Sequence, residues 1–112
     1  MKVTNYYEVP LEEVNEKEAK DVKVRWLISD KDNAKNFAMR LFEIEPGGHT
    51  PYHAHDWEHE VFVLEGEGDV KIDEEKYSIK KDSVVFVEPN QKHNFTNTGN
   101  SILKFLCLIP YK

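Results

Sequence analysis

The sequence predicts an all-β fold built as a small barrel or sandwich, and three observations point there. Seven or more short apolar runs recur at intervals punctuated by turn residues. No stretch shows a convincing helical period. The run from Val22 to Ile28 alternates cleanly, with Val22, Val24, Trp26 and Ile28 on one face and Lys23 and Arg25 on the other. That is the pattern of a half-buried strand.

Taken in order, the chain begins with a short apolar and aromatic piece, Val3 to Val9, stopped by Pro10. The charged run from Glu12 to Lys20 reads as a solvated connector in preference to an acidic lid. Trp26, within its alternating stripe, reads as a core aromatic in preference to one lining a ligand pocket. After the polar loop Ser29 to Asn36, Phe37 to Glu45 is a second strand, ended by Pro46-Gly47-Gly48. Arg40 shares its face with Ala38, Phe42 and Ile44, while Glu43 makes the opposite face equally ambiguous. Two placements follow for Arg40, snorkelling to solvent or pairing inside the barrel. Glu60 to Leu64 runs into the turn Glu65-Gly66-Glu67-Gly68, and Asp69 to Asp73 is expected to return as its partner strand. Tyr77 to Ile79 and Val84 to Val87 form the next expected pair. Pro89-Asn90-Gln91 turns the chain into His93 to Thr96, Asn97 to Asn100 turns it again, and Ile102 to Ile109 closes the fold. In that last strand Lys104 is expected to face water, which turns Leu103, Phe105, Cys107 and Ile109 inward. Cys107 has no basic neighbour in sequence and reads as a buried thiol.

The bulk properties restrict the function. At 112 residues the chain is expected to be one domain over residues 1–112. A net charge of −6, with no cluster of Lys or Arg, argues against nucleic acid as a partner. One cysteine permits no internal disulfide, and Met1 to Asn5 leads into no apolar run long enough for a signal peptide or a membrane span. A cytoplasmic location, with no membrane partner, is the expectation.

Chemistry concentrates in the histidines. On an extended backbone His53 and His55 share a face, and His59 keeps that parity if a tight turn intervenes. Three imidazoles then converge, and neutral imidazole is the commonest side-chain metal ligand. His93 answers them from later in the chain.

These residues resemble a known family. Gly48, His53-Ala54-His55, His59 and Gly66 resemble the first cupin motif, and Pro89, His93 and Asn97 resemble the second. The resemblance implies a cupin β-barrel, the double-stranded β-helix or jelly roll, holding one divalent metal. It implies His53, His55, His59 and His93 as ligands, with His59 standing where the motif usually has Glu and Glu60 as the rival. The set resembles the four-histidine variant of small cupins. Its metal is expected to be Mn(II) or Fe(II), with Ni, Zn, Co or Cu also accepted by a nitrogen-rich site.

The implied activity is that of an oxygenase on a small organic substrate. A decarboxylase or isomerase, and a non-catalytic metal or ligand sensor, are the alternatives. Arg40, if it faces inward, is expected to steer an anionic group, with Phe105 and Cys107 in the pocket. His49 is expected to lie outside the ligand set. Asp56, Trp57 and Glu58 are expected to shape the turn between ligands, and Asn97 to brace the second motif. Metal is expected to be lost below about pH 6, where free imidazole protonates. A homodimer is expected, through the Val22 to Ile28 strand and the N-terminus.

Overall fold

Two antiparallel layers, joined by one long strand, enclose the candidate site. The computed structural model describes residues 1–111. Its strands are β1 (Glu12–Glu13), β2 (Lys20–Ile28), β3 (Phe37–His49), β4 (His59–Glu65), β5 (Glu67–Ile72), β6 (Glu75–Lys80), β7 (Val84–Val87), β8 (His93–Asn97) and β9 (Leu103–Pro110). They join in the order β6-β5-β8-β3-β9-β4-β7, with β2 pairing both β3 and β1. From Phe37 to Ile44, β3 pairs with β9, and its far end at His49 meets Thr96 of β8. A curled, barrel-like sheet is the result.

Pro46-Gly47-Gly48 does not end the strand as expected. Lys20 pairs with His49 and Val22 with Ile44, so a large bulge in β3 carries the chain from one layer to the other. Gly47 sits at φ +82, and a Cβ on Gly48 would lie 2.6 Å from the Lys20 carbonyl oxygen. The glycines permit the bend, and the strand continues through it.

The expected hairpin of Glu60–Leu64 with Asp69–Asp73 does not form. Strand β4 pairs with β7 and β9, whereas β5 pairs with β6 and β8. Gly66, at φ +86 and packed against the Ile102 carbonyl, is where the chain crosses between layers. The tight hairpin is β5–β6, turned by Asp73 and Glu74 with φ of 47 and 75. The expected pairing of Tyr77–Ile79 with Val84–Val87 fails for the same reason, because β7 belongs to β4's layer.

Inward residues of both layers form one core cluster that includes Val22, Ile44, Val63, Val70, Phe95 and Phe105. As expected, Leu103, Phe105 and Cys107 point into it, with Ile109 packed against it. Lys104 is not out in water. The Tyr6–Glu8 turn folds back beside it, so its ammonium donates to the Tyr6 hydroxyl at 3.3 Å and lies 3.5 Å from Glu65. Arg25, on the neighbouring surface, pairs with Glu43 at 3.3 Å and donates to the Val9 carbonyl at 2.6 Å.

The β2 stripe is buried at Val22 and Val24 only. Trp26 and Ile28 are 37% and 40% exposed, because the pairing with β3 slips between them at the cavity edge. Trp26 is therefore a wall residue and not core. The acidic run is likewise not a free connector, since Glu12 and Glu13 pair with Val24 and Lys23 as strand β1.

Candidate metal centre

Four imidazoles meet at the base of one cavity. His53 and His55 lie on the segment between β3 and β4, where His53 is held by backbone hydrogen bonds to and from His93 at 3.2 and 2.9 Å. The His55 carbonyl accepts from the Asn90 amide. His59 opens β4 and His93 opens β8. Two backbone segments thus fix the first pair, and the ends of two strands fix the others.

Among the described residues, His53, His55 and His93 form a group whose ligand atoms all lie within 4.8 Å of one another. The Nε2 atoms of His53 and His55 are 3.1 Å apart. Two nitrogens each about 2.0–2.1 Å from one ion, at a right angle, would be about 3 Å apart, so the spacing fits a shared ion. His59 stands beside this group, its ring centre 4.8 Å from that of His93 and 5.3 Å from that of His55.

For His93 the neighbouring carbonyl decides which nitrogen is offered. His93 places Nδ1 at 2.9 Å from the Gln91 carbonyl, and a carbonyl only accepts, so Nδ1 carries the proton and Nε2 keeps its lone pair. His59 turns Nδ1 toward the Cys107 sulfur at 3.4 Å, while its Nε2 is buried with no hydrogen-bond partner. A bound ion would satisfy a buried imidazole nitrogen that has no hydrogen-bond partner. Trp57 stacks on His55 with ring centres 4.3 Å apart and planes 8° apart, which fixes that ring's tilt.

Burial pushes His55 down to about 4 and His59 down to about 3, with smaller contributions from neighbouring imidazoles and Arg40. His93 is lowered too, chiefly by burial, against a raising hydrogen bond to Gln91. Burial pushes the Cys107 thiol up, keeping it neutral. In the metal-free protein His55, His59 and His93 therefore take up protons at lower pH than a free imidazole.

The unfolded chain takes up protons on His55 and His59 near pH ~6.5, whereas the folded one does so only near pH 4 and 3, respectively. Acidification therefore favours the unfolded state throughout that window. The metal-free protein should melt progressively lower from about pH 7 to about pH 4. Thermal melts in that series that stay flat would show that the rings are not desolvated.

Above the histidines the cavity has a volume of about 540 Å³ and a wall that includes Trp26, Arg40, Phe42, Trp57, Phe105 and Cys107. Arg40 thus takes the inward placement. Its Nη2 donates to the Cys107 sulfur at 3.1 Å, so the thiol has a basic neighbour that lies 67 positions away in sequence. Glu60, the rival ligand, is exposed on the opposite face of β4. His49 stays outside the group, with Nδ1 3.3 Å from the Thr50 carbonyl. Asn97 braces the second motif as expected, donating to the Ile44 and Ser101 carbonyls at 2.8 Å each and accepting from the Gly99 amide at 2.9 Å.

Three cavity elements were ranked to the wrong side in the sequence: Trp26 read as core before pocket, Trp57 as a turn residue before a gate, and Glu12 to Glu16 as a solvated connector before a lid, yet all line the cavity. An aromatic among polar residues between two ligand positions was the available signal for Trp57.

The Cupin domain family profile matches residues 40–109. The chain is a cupin. Its barrel is similar over its whole length to the polyketide cyclase RemF from Streptomyces resistomycificus, with 32% identity, a TM-score of 0.94 and 80% of that chain covered. A predicted oxalate decarboxylase from Thermotoga maritima is similar at 28% identity and a TM-score of 0.87, covering 99% of this cupin and all of that chain. An oxalate-binding protein of Thermotoga maritima is 35% identical over 74 residues, 62% of this cupin and 61% of the relative. The cupin spans between 46% and 61% of the length of the curated relatives it matches. Among the described residues no helix is long and apolar enough to cross a membrane.

Proposed function

We propose that this cupin is a metal-dependent enzyme acting on a small, oxygen-bearing organic molecule, with His53, His55, His59 and His93 holding one divalent transition ion. The observation that supports it most is the buried, unpartnered His59 Nε2 beside the three-histidine group. Bound there, the ion supplies Lewis acidity toward a substrate oxygen at undiminished charge, since every donor is neutral. The protein's own contribution is positional. Gln91 and Cys107 orient His93 and His59, Trp57 fixes His55, and the aromatic wall holds an unsaturated substrate and excludes water.

A cavity of about 540 Å³ suits a ring-containing molecule better than a two-carbon acid. Similarity to a polyketide cyclase supports that size class. Oxygenase chemistry with Mn(II) or Fe(II) is the redox reading of the same nitrogen donors.

Reconstitution of metal-free protein with Mn(II), Fe(II), Co(II), Ni(II) or Zn(II), followed by assays on phenols, diketones and polyketones with dissolved oxygen monitored, tests both. One ion per chain with turnover supports the enzyme, and oxygen uptake selects the oxygenase. Failure to retain any ion defeats the metal site. Full loading with no turnover moves the reading to a binding module.

We also propose a homodimer, and an exposed apolar face adds to the expected grounds for it. The two-residue β1 covers only part of the outer edge of β2, and Phe62, Val84 and Phe86 are 41%, 75% and 51% exposed across the paired β4 and β7 at the sheet's end. Sedimentation should give twice the chain mass, falling to one chain in Phe86→Glu. A monomeric parent at micromolar concentration rejects it.

A further inference from the structure

Arg40 is the cation inside the cavity that the metal-site reading does not use. It projects from β3 opposite Cys107 of β9, and its guanidinium carbon lies 4.8 Å from the Phe42 ring centre and 5.4 Å from that of Trp26. One donor goes to the neutral Cys107 sulfur, and Nε is buried without a hydrogen-bond partner. Among the described residues no carboxylate lies within ion-pairing distance of it, whereas Arg25, the other arginine, is paired with Glu43. Glu12, Glu13 and Glu16 line the cavity but are exposed, and Glu13 is within 4.0 Å of Lys23. Arg40 is half-buried, with Nε fully so, and a guanidinium partly withdrawn from water without an anion leaves donor capacity that an anionic ligand would complete.

We propose that Arg40 is an anion-binding residue of the cavity and that the molecule taken there is a planar, unsaturated carboxylate. The carboxylate completes the guanidinium's donor set, for which planar bidentate pairing is the favoured geometry. The unsaturated body lies against Trp26, Phe42 and Trp57, which line the same space. The inference rests on the proposed reading of this cavity as the active site, and a divalent ion would only add charge of the same sign. Selection for the anion is therefore already present in metal-free protein.

The test uses the metal-free full chain at neutral pH with two probes of one shape, 2-naphthoate and its neutral isostere 2-naphthamide. Calorimetry should show naphthoate bound roughly tenfold or more tightly than the amide. Arg40→Gln should bring that ratio close to one, and Arg40→Lys should keep part of it. In a spectrum of ¹⁵N-labelled arginine side chains, naphthoate should shift the Arg40 Nε signal and leave Arg25 in place. This arm needs no substitution, so it stands even if the variants fold poorly. Equal binding of the two probes, a preference that survives Arg40→Gln, or an unmoved Arg40 signal overturns the proposal. A parallel Co(II) titration separates the readings. Naphthoate selectivity without Co(II) uptake defeats the metal site and leaves the anion site standing, while stoichiometric Co(II) with no selectivity does the reverse.

Discussion

Leucine in place of His59 is expected to give a folded protein that binds a divalent ion far more weakly and yet, metal-free, melts higher than the parent. The two effects have one cause. Nε2 of His59 is buried with no partner, so in the metal-free protein it carries an unmet desolvation cost of about 1–3 kcal/mol. Leucine has a similar bulk and no polar atom, and removing the orphan should raise the melting temperature by several degrees, at roughly 4–8 °C per kcal/mol for a domain of this size. The lost contact to the Cys107 sulfur offsets part of that gain. Affinity for Co(II), measured by competition with a chelator, should fall by at least ~100-fold, since even partners that merely orient a ligand are worth 10- to 100-fold. The melting curve should also depend less steeply on pH, because one strongly lowered imidazole is gone. Unchanged Co(II) affinity would show that His53, His55 and His93 suffice. A lower metal-free melting temperature would show that the buried nitrogen is satisfied in the folded protein.

Phe105→Ala is expected to be the most destabilising single truncation in the barrel wall. Phe105 is 1% exposed, and its ring centre lies 4.6 Å from that of Phe95 and 5.4 Å from that of Phe42. Its β9 position pairs with Phe42 of β3 on one side and Val63 of β4 on the other. Removing the ring leaves a void between three strands that cannot close, at a cost of about 3–5 kcal/mol. Because Phe105 also lines the cavity, the void joins the ligand space and admits water. Calorimetry should place the melting temperature on the order of 15–20 °C below the parent. A loss under about 1 kcal/mol would mean that neighbouring side chains collapse into the space.

How far the sequence announced these features depends on whether local rules govern them. His53 and His55 were legible because side-chain alternation is a property of any extended backbone, and the bridge to His93 holds the segment in that form. His59 and Glu60 fall on opposite faces of β4 by the same rule, one buried and one exposed. Arg40 was ambiguous for a physical reason. Buried residues on β3 fall at Ala38, Leu41 and Ile44, three apart, because the strand is covered on both faces and alternation loses its meaning there. The crossing at Gly66 was illegible, since a glycine-rich segment between two apolar runs reads equally as a hairpin turn or a passage to another layer. Only the distant partners β7, β8 and β9 decide between the two. Glu12 and Glu13 were lost for a related reason, since a two-residue strand has no period to detect.

Both tryptophans of the chain, Trp26 and Trp57, line the cavity, one from the end of β2 and the other stacked on His55. Excitation at the red edge of the ultraviolet absorption band therefore addresses two emitters that both face the guest. An ion with unfilled d orbitals at the histidines would darken Trp57, and a ring slid against the opposite side would darken Trp26. The protein thus comes with its own optical gauge of what occupies it, needing no label and no altered residue.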